Sequence, residues 1–215
     1  MERVAAIVAA VLLVVMLAAP LQAVNPDIGG TAVYTEQDYF SANGWGVTAY
    51  SYVYDSTGGA APEIYPGFAL NAGEMLFVYL LDYDDSESVS VDHFAVGNPE
   101  LAAISTVGWS VDVAATGYNV SNHQEPYLSG YSGPAQAVIF TYTGNFMDPW
   151  STLDPGEYSL VYYVAGCDNY GFVGATADGA GTCENQLVPG PSVPEPTTIC
   201  LFSLGLAALF CKRKP

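Results

Sequence analysis

Basic residues are almost missing from this chain. Of 215 residues only Arg3, Lys212, Arg213 and Lys214 carry a positive side chain, against 22 acids. All four stand beside an apolar run at one end or the other, and none lies between Val24 and Val193. That span holds every acid except Glu2 and Glu195. Such a balance argues against a nucleic-acid partner, because phosphate binding draws on Lys and Arg. It also disfavours adhesion to anionic surfaces without bridging divalent cations, and favours a solvated, self-repelling protein.

The signatures of catalysis are missing as well. No Gly-x-Ser-x-Gly elbow and no His-Glu-x-x-His motif occurs, and Gly130-Tyr131-Ser132-Gly133 does not fit the elbow. Asp92-His93 has the composition of an acid–base pair, but neighbours on a strand point to opposite faces. His93 reads as a packed strand residue and His123, in Ser121–Pro126, as a solvated loop residue. Carboxylate pairs for glycoside hydrolysis stay open, since such partners need only meet in space. The chain is expected not to be an enzyme, and nothing in it calls for a cofactor.

Cysteine is scarce: Cys167, Cys183, Cys200 and Cys211. The last two belong to a C-terminal apolar run. In an exported body the first two are most simply a disulfide, with two free thiols as the alternative. A zinc site is disfavoured, because neither belongs to a Cys-x-x-Cys pair.

No helical apolar period of useful length runs through the body. Short β-branched and aromatic runs take its place, separated by Gly, Pro, Asn and Asp. Strands are expected at Trp45–Tyr54, Met75–Tyr83, Val89–Val96, Ile104–Val113, Gln136–Thr143, Tyr158–Val164 and Tyr170–Ala175, with a weaker one at Tyr34–Phe40. Met75–Tyr83 is nearly continuous apolar sequence, as a strand buried on both faces would be. Asp154-Pro155-Gly156 and Asn71-Ala72-Gly73 each form a turn signal followed by an acid and an apolar strand. About eight strands at even spacing predict an all-β body, an antiparallel β-sandwich of jelly-roll type, with a closed barrel as the alternative.

Two features of the body invite a ligand. Asp82, Asp84, Asp85 and Glu87 lie within six residues and could supply hard oxygen ligands to Ca²⁺, although the EF-hand pattern is absent; a solvated hairpin loop explains them equally. The chain has 16 tyrosines and three tryptophans, Trp45, Trp109 and Trp150. Exposed in a row, the tryptophans would suit sugar stacking; buried, they would be core.

What the chain does have is two long apolar runs at its ends. Val4–Ala19 follows Glu2-Arg3 and precedes Pro20-Leu21-Gln22-Ala23, the layout of a signal peptide cut after Ala23, an uncleaved anchor being the alternative. Thr197–Cys211 would span about 22 Å as a helix, short of a ~30 Å hydrocarbon core. It follows Val193-Pro194-Glu195-Pro196 and ends in Lys212-Arg213-Lys214, which should stay cytoplasmic. The resulting division is signal peptide 1–23, β-sandwich ectodomain 24–186, Pro-rich linker 187–196, and transmembrane sorting segment 197–215.

Motif, apolar run and basic end, in that order, resemble the PEP-CTERM sorting signal of Gram-negative bacteria. The resemblance covers about a tenth of the chain and assigns nothing to the body. It implies recognition by an exosortase, a membrane-embedded processing enzyme. The precursor would sit in the inner membrane, and the mature form at the cell surface or in the extracellular matrix, beside exopolysaccharide. The body would then be structural or interactive. A carbohydrate-binding module, or less readily a carbohydrate-cleaving one, is the alternative from another class.

Overall fold

The computed structural model describes residues 25–58, 60–84, 89–98, 102–111, 118–133, 135–142 and 152–192. The expected signal peptide, the sorting segment after Ser192, Asp85, Glu87 and Trp150 lie outside them. So do all four basic residues, and every Asp, Glu, Lys or Arg that is described is an acid.

Ten strands form two antiparallel sheets. The first holds β1 (Tyr34–Ala42), β2 (Trp45–Asp55), β3 (Glu74–Tyr83), β8 (Tyr158–Gly166) and β5 (Ala103–Trp109), in that spatial order. The second runs β10 (Thr182–Ser192), β9 (Asn169–Asp178), β4 (His93–Gly97), β7 (Ala137–Thr141) and β6 (Leu128–Ser132). A short 3-10 turn, Val120–Asn122, is the one helical element among the described residues. All-β, two-sheet architecture therefore agrees with the sequence. The described residues hold ten strands, where the sequence suggested about eight.

The strict two-residue alternation of β3 and β8 explains their continuous apolar sequence. Phe77, Tyr79, Leu81, Val161 and Tyr163 point between the sheets, where they meet Phe94, Val96, Val138, Phe140, Val173, Ala175 and Val188. Leu76, Val78, Leu80, Leu160, Tyr162 and Val164 point the other way, into a second apolar cluster on the outside of the first sheet. Two coil segments cover that outer face: Ile28 and Ala32 from the N-terminal stretch, and Ala61, Ile64, Phe68 and Leu70 from the β2–β3 connection. Hydroxyls from β2 fasten the N-terminal stretch. Tyr52 donates to the Pro26 carbonyl (2.5 Å) and Tyr54 to the Gly29 carbonyl (3.0 Å).

The turns follow from local chemistry. Asn43-Gly44 closes the β1–β2 hairpin with both residues at positive φ (43° and 88°), as a two-residue loop requires. The two similar turns share a device. Glu74 accepts the Asn71 backbone N–H at 3.0 Å, and Glu157 accepts that of Asp154 at 2.9 Å. Glu74 is the first residue of β3 and Glu157 the residue before β8, so in each case an acid at the strand's start closes the turn before it.

The structure moves one boundary. Leu187–Ser192 was expected to be linker, yet it is the second half of β10, with Val188 fully buried in the core. Prolines misled the sequence reading, because they bar a residue from a central strand but not from a sheet edge.

Candidate functional site: the end of strand β10

Strand β10 is an edge of the second sheet and carries the chain toward Val193-Pro194-Glu195-Pro196 with nothing between. It pairs with β9 to its last residue, in the register Val188↔Val173, Pro189↔Phe172, Gly190↔Gly171, Pro191↔Tyr170 and Ser192↔Asn169. Pro189 and Pro191 occupy alternate positions, so the N–H groups they lack belong to one side of the strand. The Pro189 carbonyl accepts the Tyr79 hydroxyl of the opposite sheet at 2.6 Å. At Gly190 there is room for hydrogen only, since a Cβ would collide with the Val173 methyls.

Strand β1 faces β10 across the seam between the sheets. Tyr34, Glu36, Asp38 and Phe40 turn to its interior side while Thr35, Gln37 and Tyr39 are exposed. The interior side thus carries two acids. Glu36 Oε2 and Asp38 Oδ2 are buried with no hydrogen-bond partner. Burial, and for Asp38 the neighbouring Glu36 charge, push both carboxyls up, Asp38 to about 6. Sequence reading passed over these residues. The signal was present in the pattern Tyr34-x-Glu36-x-Asp38-x-Phe40, whose period of two puts the acids on the apolar face.

The seam should make stability depend on pH. A carboxyl raised in the folded state holds its proton while the unfolded chain has released it, so stability falls as pH rises from about 4 to about 6 and then levels off. Asp38→Asn is expected to flatten that fall and to stabilise the protein at pH 7. With solvent screening of a half-exposed carboxylate, the gain is about 1 kcal/mol, or roughly 2–4 °C in Tm. Melting curves at pH 4, 6 and 8 check this; parallel curves for the two proteins would refute it.

Cys167 and Cys183 are free thiols, not the expected disulfide. The reason is the β9–β10 hairpin. Cys183 pairs with Ala177 near its closed end, while Cys167 precedes Asn169 at the open end, beside Ser192. About 30 Å of strand separates them, where a disulfide needs Cα atoms within about 7 Å. Cys167 is buried, and burial with the adjacent Asp168 charge pushes its thiol up to about 11.

The other sequence candidates scatter. Trp45 is core, 1 % exposed, and its indole N–H donates to the Gly181 carbonyl at 3.0 Å. Trp109 is half-buried and lies beside His123, ring centroids 6.2 Å apart. No row of exposed tryptophans forms from these two. His123 is packed, not solvated: its loop bridges to Tyr158, its Nε2 accepts the Leu160 N–H at 3.4 Å, and burial lowers its pKa. His93 is half-buried on β4, as expected of a strand residue. Asp82 accepts the Tyr118 hydroxyl at 2.6 Å, and Asp84 is exposed beside an open cleft of ≈ 400 Å³ that Thr48, Tyr83 and Gly156 also line. Among the described residues no three His, Cys, Asp or Glu side chains gather as a metal site; the Ca²⁺ expectation falls partly on Asp85 and Glu87, outside them.

Residues 192–214 match the PEP-CTERM protein-sorting motif. The match begins at the residue where β10 ends, and it takes in the Pro-Glu-Pro, the apolar run and the basic cluster. No curated protein and no solved structure matches the chain.

Proposed function

We propose that the chain is a precursor whose β-sandwich body works, after export and removal of its C-terminal segment, as a non-catalytic structural or interaction component of the cell surface or extracellular matrix. The PEP-CTERM motif marks an exported protein and a substrate of an exosortase-type processing enzyme. One observation carries the reading further: the motif continues directly from an edge strand of a folded body, with no second domain between them. What is delivered is then the sandwich itself. Its charged residues are all acidic, which suits a hydrated polysaccharide matrix in which a protein must stay soluble at high local concentration.

Fractionation with antibody to the body tests delivery. Mature protein lacking both ends should appear in the surface or matrix fraction, and deleting the gene should weaken matrix cohesion. Protein of full precursor mass confined to the inner membrane would overturn the reading.

A second reading, carbohydrate binding, draws on tyrosine in place of tryptophan. Tyr127 and Tyr131, at 52 % and 39 % exposure, are the residue before edge strand β6 and its fourth residue, and aromatic faces can stack on sugar rings. Retention of the protein on the host's extracellular polysaccharide above a same-charge control would favour it.

A further inference from the structure

We propose that the end of the sandwich at which β10 terminates is the face the body turns to the lipid bilayer in the precursor, so that the opposite, hairpin end points outward. The inference rests on reading residues 193–215 as a membrane-held sorting segment.

The described chain ends at the pole where β1 begins. Ser192 pairs with Asn169, and the neighbouring Tyr170 ring lies 5.1 Å from the ring of Tyr34. Tyr34 opens β1, and about 7 Å along that strand the Glu36 carbonyl accepts the Asn25 side-chain amide at 3.1 Å. Ser192 therefore lies near the start of β1, and Asn25 two residues in from it. The sorting segment after Ser192 leaves the body at this pole.

The opposite pole is built from turns. Asn43-Gly44 and the β9–β10 turn meet there through the Trp45–Gly181 hydrogen bond. Asp84 and the Asp154–Glu157 turn join them, linked through Asp84 N–H to the Gly46 carbonyl (3.2 Å) and Gly156 N–H to the Tyr83 carbonyl (3.3 Å). A strand of nine residues such as β1 sets the poles about 30 Å apart.

Chain length then fixes which pole faces the bilayer. Only Val193–Pro196 separates Ser192 from the apolar run, a reach of roughly 14 Å when fully extended. Pro20–Val24 gives roughly 17 Å on the other side before any cleavage. Neither tether spans the sandwich, and the C-terminal one alone is enough to hold the pole near the membrane once the signal peptide is gone. Lengthening it by peeling Val188–Ser192 from β9 would expose Val188 and strip Tyr79 of its acceptor. The acids of the hairpin pole, Asp84 and Asp154 among them, are thereby presented away from the lipid.

The test uses the full-length precursor reconstituted in vesicles whose lipid carries a fluorescence quencher. The four native cysteines are replaced, and one label is placed at Asp168→Cys, on the proposed membrane side, or at Ala180→Cys, on the hairpin. Both positions are exposed. Flotation with the vesicles reads the membrane tether, and the ratio of quenching reads the orientation. The expected result is flotation with several-fold stronger quenching at Asp168→Cys. Flotation with equal or reversed quenching overturns the orientation and leaves the tether standing; failure to float overturns both. Should the first pair not fold, Ser56→Cys and Thr182→Cys, exposed at the same two poles, repeat the comparison.

Discussion

A chain cut after Ser192 is expected to leave the membrane fraction completely and to melt as the full body does, whereas a chain cut after Gln186 should melt roughly 10 °C lower or more. The first cut removes the C-terminal apolar run and every basic residue of the tail, so once the signal peptide is cleaved no long apolar run remains to hold the chain in the bilayer. It removes no residue of β10. The second cut, six residues earlier in the sequence, falls where composition alone would end the domain. It takes away Val188, whose burial is worth about 1.5–3 kcal/mol, and the Pro189 carbonyl, leaving the Tyr79 hydroxyl buried without its acceptor at a cost of about 1–3 kcal/mol. At roughly 2–4 °C for each kcal/mol in a domain of this size, the difference is easily read in a thermal melt. Equal melting temperatures for the two truncations would show Leu187–Ser192 to be a linker after all.

Trp45→Ala should be the most damaging single substitution at the hairpin pole, costing about 3–5 kcal/mol. Trp45 opens β2, packs in the core between the sheets, and donates its indole N–H to Gly181 in the turn of the other sheet. Truncation leaves a cavity and frees two hairpins that otherwise hold each other. Trp45→Phe keeps most of the apolar contact and loses the hydrogen bond, so about 1 kcal/mol beyond the change in size is expected. Urea titrations of the three proteins separate these outcomes. If Trp45→Ala stayed within about 1 kcal/mol of the parent, the role given to this contact would be wrong.

Much of this architecture is written in local sequence, and what escaped has identifiable causes. The nearly unbroken apolar run of β3 announces burial on both faces, and the structure supplies both covers. The turns ending in Glu74 and Glu157 were legible because Pro or Gly and a capping acid sit at fixed offsets. Strand β6, Leu128-Ser129-Gly130-Tyr131-Ser132, has little β-branched content and shows no pattern alone; its pairing with β7 makes it a strand. Val91 is buried through an isolated bridge to Leu153, so the alternation seen across Val89–Val96 becomes a strand only from His93 onward. The sorting motif was readable because it is contiguous. The Cys167–Cys183 pairing was not, because spacing in sequence carries no information about which end of a hairpin each thiol occupies.

Strand β10 has one more consequence, for the assembly of many copies. An edge strand with free backbone groups invites another chain to add to its sheet. Pro189 and Pro191 offer no amide hydrogens to an incoming strand, and the Tyr79 hydroxyl already occupies the Pro189 carbonyl. With Val188, Pro189, Gly190 and Pro191 buried and β1 beside them, the last stretch of β10 is closed to an added strand just before the sorting motif begins.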